Sequence, residues 1–475
     1  MAPLPRSTPE KQGVASTALI TFLQEINKDI RHLHSFMFLR HGSVISEGWW
    51  NPWQTDTRHM LFSLSKSFTS TAVGIAISEG RFQLTDRLVD LFPDKLPGKV
   101  SQNLADMQVK HLLSMSTGQI EDTTPFIVFE EDPVRAFLAR PVDYKPGTHF
   151  FYNSGSTFML SHLITKTTGL KLIDYLKPRI LQPLGIENAE WESHPDGIDF
   201  GGWGLSIKTE DIALFGQLYL QKGRWNGQQL IPEAWVQQAS SFQADNAPDE
   251  NPDWAQGYGF QFWLCSPPGV YRGDGAFGQY CIIMPEQDAV IAITGGLQNM
   301  QSVLTKIWKH ILPAMKPGVL PDQPKQHENL QQNLSKLSIP PLPFNLSSDK
   351  EAIFESRPYF FEENDFFLKS IQLNFQSNQL KYQINFPGSD TQDHKLNFGR
   401  CSWVIDQSIL ANKTTYQAAA CGSWITENVF QLCICHLEMP YMTNLFFTFS
   451  GEKVTLQFKY NVSFGPLESE PFSSI

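Results

Sequence analysis

Apolar residues recur at three- and four-residue steps from Ser16 to Ile30. Leu19, Ile20, Phe22, Leu23 and Ile26 share one face there and predict an amphipathic helix. The run Ser35–Arg40, the pair His41-Gly42 and the run Val44–Trp49 predict a β-hairpin. Val73, Ala76 and Ile77 then return to helical spacing, and Gly80 supplies a stop just past them. Further helical stretches are expected at Leu84–Asp94, Val109–Gly118, Phe158–Thr167, Leu172–Arg179 and Thr209–Leu220, with a closing helix at Val303–Met315. Strand signals stand at Gly257–Leu264, Tyr280–Met284 and Ala289–Thr294. Strands at both ends with helices between them predict an α/β (α+β) fold. Its one antiparallel sheet would be flanked by helices, and its two chain ends would pair in the middle.

The pattern changes at Lys316-Pro-Gly-Val-Leu-Pro-Asp-Gln-Pro324, and Ile339-Pro-Pro-Leu-Pro343 repeats the proline density. A Pro-rich linker is expected over 317–350, with a short helix carried by Leu330, Leu334 and Leu337. Beyond it come strand-like runs at Leu368–Phe375, Gln379–Phe386, Thr415–Ala420, Val429–Leu437, Leu445–Phe449 and Val454–Tyr460, parted by turn residues. They predict an all-β barrel or sandwich over 351–475, after a catalytic-type domain over 1–316.

A chain of 475 residues exceeds what one hydrophobic core usually serves, so two domains fit its length. The net charge of −11 argues against a nucleic-acid or anionic-membrane partner. No apolar run approaches the ~18 residues of a membrane span, and the N-terminus carries no apolar signal core, so a cytoplasmic location is expected. The six cysteines form no Cys-x-x-Cys and read as buried free thiols rather than metal ligands.

Candidate chemistry lies in three patches. The first is Ser63-Leu-Ser-Lys66 at the start of the Gly80-terminated helix. Residues three apart on a helix share a face, so the Ser63 hydroxyl can meet the Lys66 amine, which a weak nucleophile needs. Ser-x-x-Lys alone is uninformative, because it recurs at Ser347–Lys350 and Ser450–Lys453. The second patch is Tyr152-Asn153-Ser154 in a loop before a helix. A nearby ammonium would lower the phenol pKa of Tyr152 and let it act as a base, while the plainer role is a partly buried aromatic. The third is Gly273-Asp274-Gly275-Ala276, leading into a strand. Its glycines would let a substrate approach the strand edge, and the backbone N–H groups of Ala276 and Ser63 could bind an oxyanion. His34, His41, His59, His111 and His149 read as surface or satisfied-core residues, and no serine sits in a Gly-x-Ser-x-Gly elbow.

Taken in this order and spacing, with Arg40-His-Gly, His111-Leu-Leu-Ser-Met-Ser-Thr-Gly118, Pro146-Gly-Thr148 and Gly204-Leu-Ser-Ile-Lys-Thr-Glu-Asp211, the patches resemble the serine β-lactamase/penicillin-binding protein family. The likeness spans roughly residues 8–315 and is closest to class C β-lactamases and their esterase relatives. It implies Ser63 as the acylated nucleophile, Lys66 as its activating partner and Tyr152 as the base, with no cofactor and no metal.

Two motifs depart from that family's pattern. Ser154 stands where Asn is usual, beside Asn153, and Gly273-Asp274-Gly275 replaces Lys-Thr-Gly or His-x-Gly. The cation that would hold a substrate carboxylate is therefore missing unless Arg272 supplies it, and Asp274 adds negative charge. The expected activity is hydrolysis of small carboxylic esters or amides, with Ser154, Asn153, Arg272, Gly273, Asp274 and Gly275 as substrate contacts. A β-lactamase or D-Ala-D-Ala carboxypeptidase-type hydrolase stays open, as does a non-catalytic binding protein that retains the fold. A homo-oligomer is open too.

Overall fold

The computed structural model describes residues 4–343, 348, 351–410 and 413–475. Its first part is built on one six-stranded antiparallel sheet. Helix α1 (Ser16–Asp29) leads into strands β1 (Leu33–Arg40) and β2 (Ser43–Trp49), and the hairpin turns at His41-Gly42 as expected. Helices α2 (Ser65–Ser78), α3 (Ser154–Thr168) and α4 (Thr209–Leu220) intervene. Strands β3 (Trp263–Leu264), β4 (Tyr271–Gly275), β5 (Gln279–Met284) and β6 (Ala289–Gly295) complete the sheet in the order β2-β1-β6-β5-β4-β3. The two chain ends do pair in the middle, with Phe38 opposite Ile291.

Adjacent residues of a strand point to opposite faces, and here both faces are covered. Phe36, Phe38, Tyr280, Ile282, Ile291 and Ile293 pack with α1 residues Phe22 and Ile26. Met37, Leu39, Cys281, Ile283, Val290 and Ala292 pack on the other face with Phe215 and Leu218 of α4. This is why Phe36–Leu39 of β1 reads as an apolar run rather than an alternation. Helix α2 is buried from Ser65 to Ala76, and Gly74 is needed there because a Cβ would lie 2.3 Å from the Trp235 ring.

Some elements are shorter than their pattern. Of the stretch 257–264 only β3 pairs, and the closing helix breaks after Lys306 into tighter and wider turns. The proline-rich region is also less free than a linker. Helix α5 (Pro324–Leu334) buries Leu330 and Leu334 against the α1 side of the sheet, and Leu337 packs over Gly48 of β2. Each fully buried leucine contributes about 1.5–3 kcal/mol to holding that strap down.

The C-terminal part has two antiparallel sheets. The first orders β7 (Pro358–Phe360), β8 (Leu368–Asn374), β9 (Gln379–Ile384) and β10 (Gln392–Asn397). The second orders β11 (Val404–Ile409), β12 (Thr415–Thr426), β13 (Val429–His436), β14 (Met442–Ser450), β15 (Lys453–Tyr460) and β16 (Phe472–Ser473). Both contribute to one core that includes Ile371, Leu396, Trp424 and Phe447. Among the second-sheet pairs, Cys421 faces Cys433, and all six cysteines are free; Cys401 is exposed, against expectation.

The C-terminal part docks onto the first through backbone. Met60 N–H donates to Glu438 O at 2.8 Å, and Trp53 Nε1 donates to Leu437 O at 2.9 Å. Asn461 Nδ2 donates to Gly296 O at 3.0 Å. Among the described residues, no helix is long and apolar enough to cross a membrane.

Candidate active site

Ser63 sits in a single 3-10 turn, Phe62–Leu64, that runs straight into α2. Lys66, in the first turn of α2, is 1% exposed. Its Nζ donates to Ser63 Oγ at 2.9 Å, to Ser154 Oγ at 3.0 Å and to Gly202 O at 2.8 Å. An ammonium has three protons to donate, and here each has an acceptor. Burial nevertheless disfavours the charged form and brings the Lys66 pKa down to about 7, against the pull of Asp122 and Asp274. The other two Ser-x-x-Lys matches have no such setting. Ser450 and Lys453 face each other across the β14–β15 hairpin, and Ser347–Lys350 lies outside the described residues.

Tyr152 stands over the same amine, its ring centroid 4.8 Å from Lys66 Nζ, and stacks on Trp263 at 5.3 Å. The expected lowering of its phenol pKa is reversed. Burial pushes it well above 10, a hydrogen bond with Ser63 opposes this only in part, and Asp274 and Asp122 add to the rise. Of the two groups beside Ser63, the lysine is the one that loses its proton near neutrality.

Asn153, expected to touch substrate, is fully buried and caps α3. Its Oδ1 accepts from Gly155 N–H at 3.0 Å and from the Thr123 hydroxyl at 2.8 Å, and its Nδ2 donates to Gln119 at 3.0 Å. Ser154 is the one that lines the cavity at Ser63. Its N–H donates to Asp122 Oδ1 at 3.0 Å and its hydroxyl faces Lys66.

Arg272 is likewise corrected as a substrate-facing cation. It is wholly buried, paired with Asp274 at 2.9 Å, and donates to Asp253 O at 2.8 Å, with Trp254 stacked on its guanidinium. Asp274 remains at the site, where burial raises its pKa to about 6 against the opposing pull of Arg272. Gly273 and Gly275 serve the protein rather than the substrate. A Cβ on Gly273 would lie 2.2 Å from Leu64 Cδ1, and one on Gly275 2.0 Å from Leu61 O. Strand β4 can press against the Ser63 turn only because these two side chains are absent.

Ala276 follows β4 and lines the same cavity as Ser63, Tyr152, Ser154 and Asp274. The cavity is about 1250 Å3. Its carboxylates are Asp122, Glu192, Asp365 and the Arg272-paired Asp274, and no lysine or arginine lines it among the described residues, Lys66 lying behind Ser63 and Ser154. Several participants have no sequence signal of their own. Asp122 is an ordinary loop residue, Tyr441 and Phe464 come from the C-terminal part, and Gly202 lies in the run Phe200-Gly-Gly-Trp-Gly204. Among the described residues no group of three His, Cys, Asp or Glu side chains is arranged to hold a metal ion.

The family model described as Beta-lactamase matches residues 29–302, more than half of the chain. The chain belongs to the beta-lactamase family. Within that family it is similar to the 6-aminohexanoate-dimer hydrolase of Paenarthrobacter ureafaciens, 25% identical over 308 residues that cover 60% of this chain and 78% of that protein. It is 32% identical to a D-aminopeptidase of Brucella anthropi over 146 residues, 29% of this chain and only 27% of that protein. Among solved structures, the octameric penicillin-binding protein homologue from Pyrococcus abyssi superposes with a TM-score of 0.51 at 15% identity. It covers 93% of this chain and 97% of its own, so the likeness in fold takes in the C-terminal sheets as well as the beta-lactamase sheet.

Proposed function

We propose that this beta-lactamase family member hydrolyses small carboxylic amides or esters through an acyl-Ser63 intermediate. One observation carries the reading: a desolvated lysine, with a pKa brought to about 7, holds its Nζ 2.9 Å from Ser63 Oγ. The neutral amine accepts the hydroxyl proton as Oγ attacks the carbonyl carbon. The N–H groups of Ser63 and Ala276 take the oxyanion that forms. Collapse breaks the bond to the leaving amine or alcohol, which takes a proton from Tyr152, and Tyr152 recovers one from Lys66. Water then attacks the acyl-enzyme and gives a proton to the same pair, which passes it to Ser63 Oγ as the acyl bond breaks and the acid leaves.

The carboxylates that line the cavity, with no lysine or arginine beside them, favour neutral or cationic substrates over those bearing a carboxylate, such as β-lactams and peptides ending in D-alanine. The names of the two relatives, a 6-aminohexanoate-dimer hydrolase and a D-aminopeptidase, support the hydrolytic reading and not the charge preference.

A fluorophosphonate probe with intact-mass analysis tests the reading. A single adduct is expected on the natural chain and none on Ser63→Ala. A natural chain that takes no adduct, or an alanine variant that still does, removes Ser63 as the nucleophile. Faster turnover of a chromogenic cephalosporin than of p-nitrophenyl acetate would overturn the substrate preference.

A further inference from the structure

The cavity at Ser63 does not end at the beta-lactamase sheet. It continues between the two C-terminal sheets, where Ile371 of β8, Leu380 and Ile384 of β9, Leu396 of β10, Ile409 of β11 and Leu445 of β14 line it. Leu380 and Ile384 lie four residues apart on one strand and so point to the same inner face. Packed sheets normally fill the space between them with interdigitated side chains. Here Ile371, Leu380, Ile384, Leu396 and Leu445 belong to the core shared by the two sheets and also border the space that reaches Ser63. The Ser63 end of the space also holds Ser154, Asp122 and Asp274; the rest is mainly apolar, aliphatic and aromatic, with Asp365, Ser408 and His436 among its polar groups.

We propose that the mainly apolar end takes an unbranched hydrocarbon chain, so that the substrates are amphiphiles: esters or amides whose carbonyl sits at Ser63 while the acyl chain runs between the C-terminal sheets. This rests on the hydrolase reading and deepens it. An acetyl group fills only the Ser63 end of a cavity of about 1250 Å3. Each further methylene moved from water into an apolar wall multiplies binding by about fourfold at most, and that gain is realised in kcat/KM when the chain is held in the transition state. The C-terminal part then supplies part of the substrate site, which accounts for its backbone being bonded to the strand that precedes Ser63.

The test is a chain-length series of p-nitrophenyl esters, acetyl to dodecanoyl, each kept below its micelle concentration, with the full-length protein. We expect kcat/KM to rise about two- to fourfold per methylene beyond butanoyl before levelling off. In Ile384→Trp and Ile409→Trp, on different sheets, an indole occupies the chain's path. The ratio of decanoyl to acetyl kcat/KM should fall by about tenfold or more, with circular dichroism reporting whether each variant is folded. Ser63→Ala gives a second measurement free of turnover: decanol, and not butanol, should displace the neutral fluorophore N-phenyl-1-naphthylamine.

A flat or falling chain-length profile with no displacement by decanol, in protein whose Ser63 takes the fluorophosphonate, overturns the chain site and leaves the hydrolase intact. Displacement by decanol in protein whose Ser63 takes no adduct overturns the hydrolase and leaves a chain-binding site.

Discussion

Phe62 and Phe277 meet edge to face with ring centroids 5.7 Å apart, each next in sequence to one of the two oxyanion candidates, Ser63 and Ala276. Both hold positive φ angles, 47° and 67°, which non-glycine residues adopt only where the surroundings impose them. Two rings of the C-terminal part pack against both. Tyr441 lies 6.4 and 6.0 Å from the two rings, and Phe464 lies 5.8 and 4.7 Å from them.

Removing one of these outer rings should loosen the two backbone donors together. Losing a whole oxyanion donor costs about 10²–10³ in kcat, so a partial loss of about tenfold is expected for Tyr441→Ala and for Phe464→Ala. The rate of fluorophosphonate labelling of Ser63 should fall in step with kcat. Unchanged kcat in both variants would show that the aromatic brace has no part in catalysis.

The acid limb of the pH profile should belong to Lys66. Below about 7 the amine is protonated and cannot accept the Ser63 proton, so kcat/KM should fall tenfold per pH unit there and level off above. Tyr152, held above its ordinary pKa, should stay protonated and produce no loss up to about pH 10. Steady-state rates with an uncharged ester decide this; an acid limb near pH 4 instead would assign the base to a carboxylate. Tyr152→Phe should lower kcat by about 10²–10⁴ if the phenol transfers the leaving-group proton.

Gly275→Ala should damage the site without touching it chemically. Its Cβ would stand 2.0 Å from Leu61 O, two residues before Ser63, so β4 or the serine turn must move. The cost should be about 1–3 kcal/mol of stability by urea unfolding, with a fall in kcat of at least about tenfold. Gly98→Ala, where a Cβ meets nothing within 4 Å, is the matched control and should stay within about 0.5 kcal/mol.

Acid should unlock the chain just before Ser63. His59 Nδ1 donates to Met60 O at 3.0 Å, so its Nε2 must accept from His34 Nδ1 at 3.1 Å, and both rings are buried and neutral. Burial lowers the His59 pKa to about 4 and that of His34 further below its usual value. The unfolded chain binds these protons from about pH 6.5 downward and the folded chain does not. Stability is therefore highest above 6.5 and is lost between there and about 4, by about 3 kcal/mol for His59 alone. Urea midpoints at pH 7.5, 5.5 and 4.5 measure it; equal midpoints would mean that the imidazoles are charged in the folded state.

Much of the first sheet was legible because both of its faces are buried, which prints long apolar runs such as Phe36–Leu39 and Ile282–Met284 into the chain. The Ser63–Lys66 and Tyr152 patches were legible because their spacing is local. What escaped depends on tertiary contact. Asn153 and Arg272 look like site residues by position, yet the first is spent on a helix cap and the second on Asp274. Strand β10, Gln392–Asn397, shows only Leu396 buried and left almost no apolar signal, as an outer strand with one wet face does. The direction of the Tyr152 shift also required the fold, because it depends on how deeply the ring sits rather than on which residue lies nearby.

The strap from Lys316 to Pro343 has a consequence for the protein after a single backbone cut. Val319 is 74% exposed and offers a protease an open site, whereas Leu330, Leu334 and Leu337 downstream stay buried against the first sheet. The Met60–Glu438 and Trp53–Leu437 bonds hold the pieces at a second place. A chain nicked at Val319 should therefore run as one species on gel filtration and as two on denaturing electrophoresis. It would behave as a complementing pair of fragments, with the covalent connection between the two parts dispensable once folding is complete.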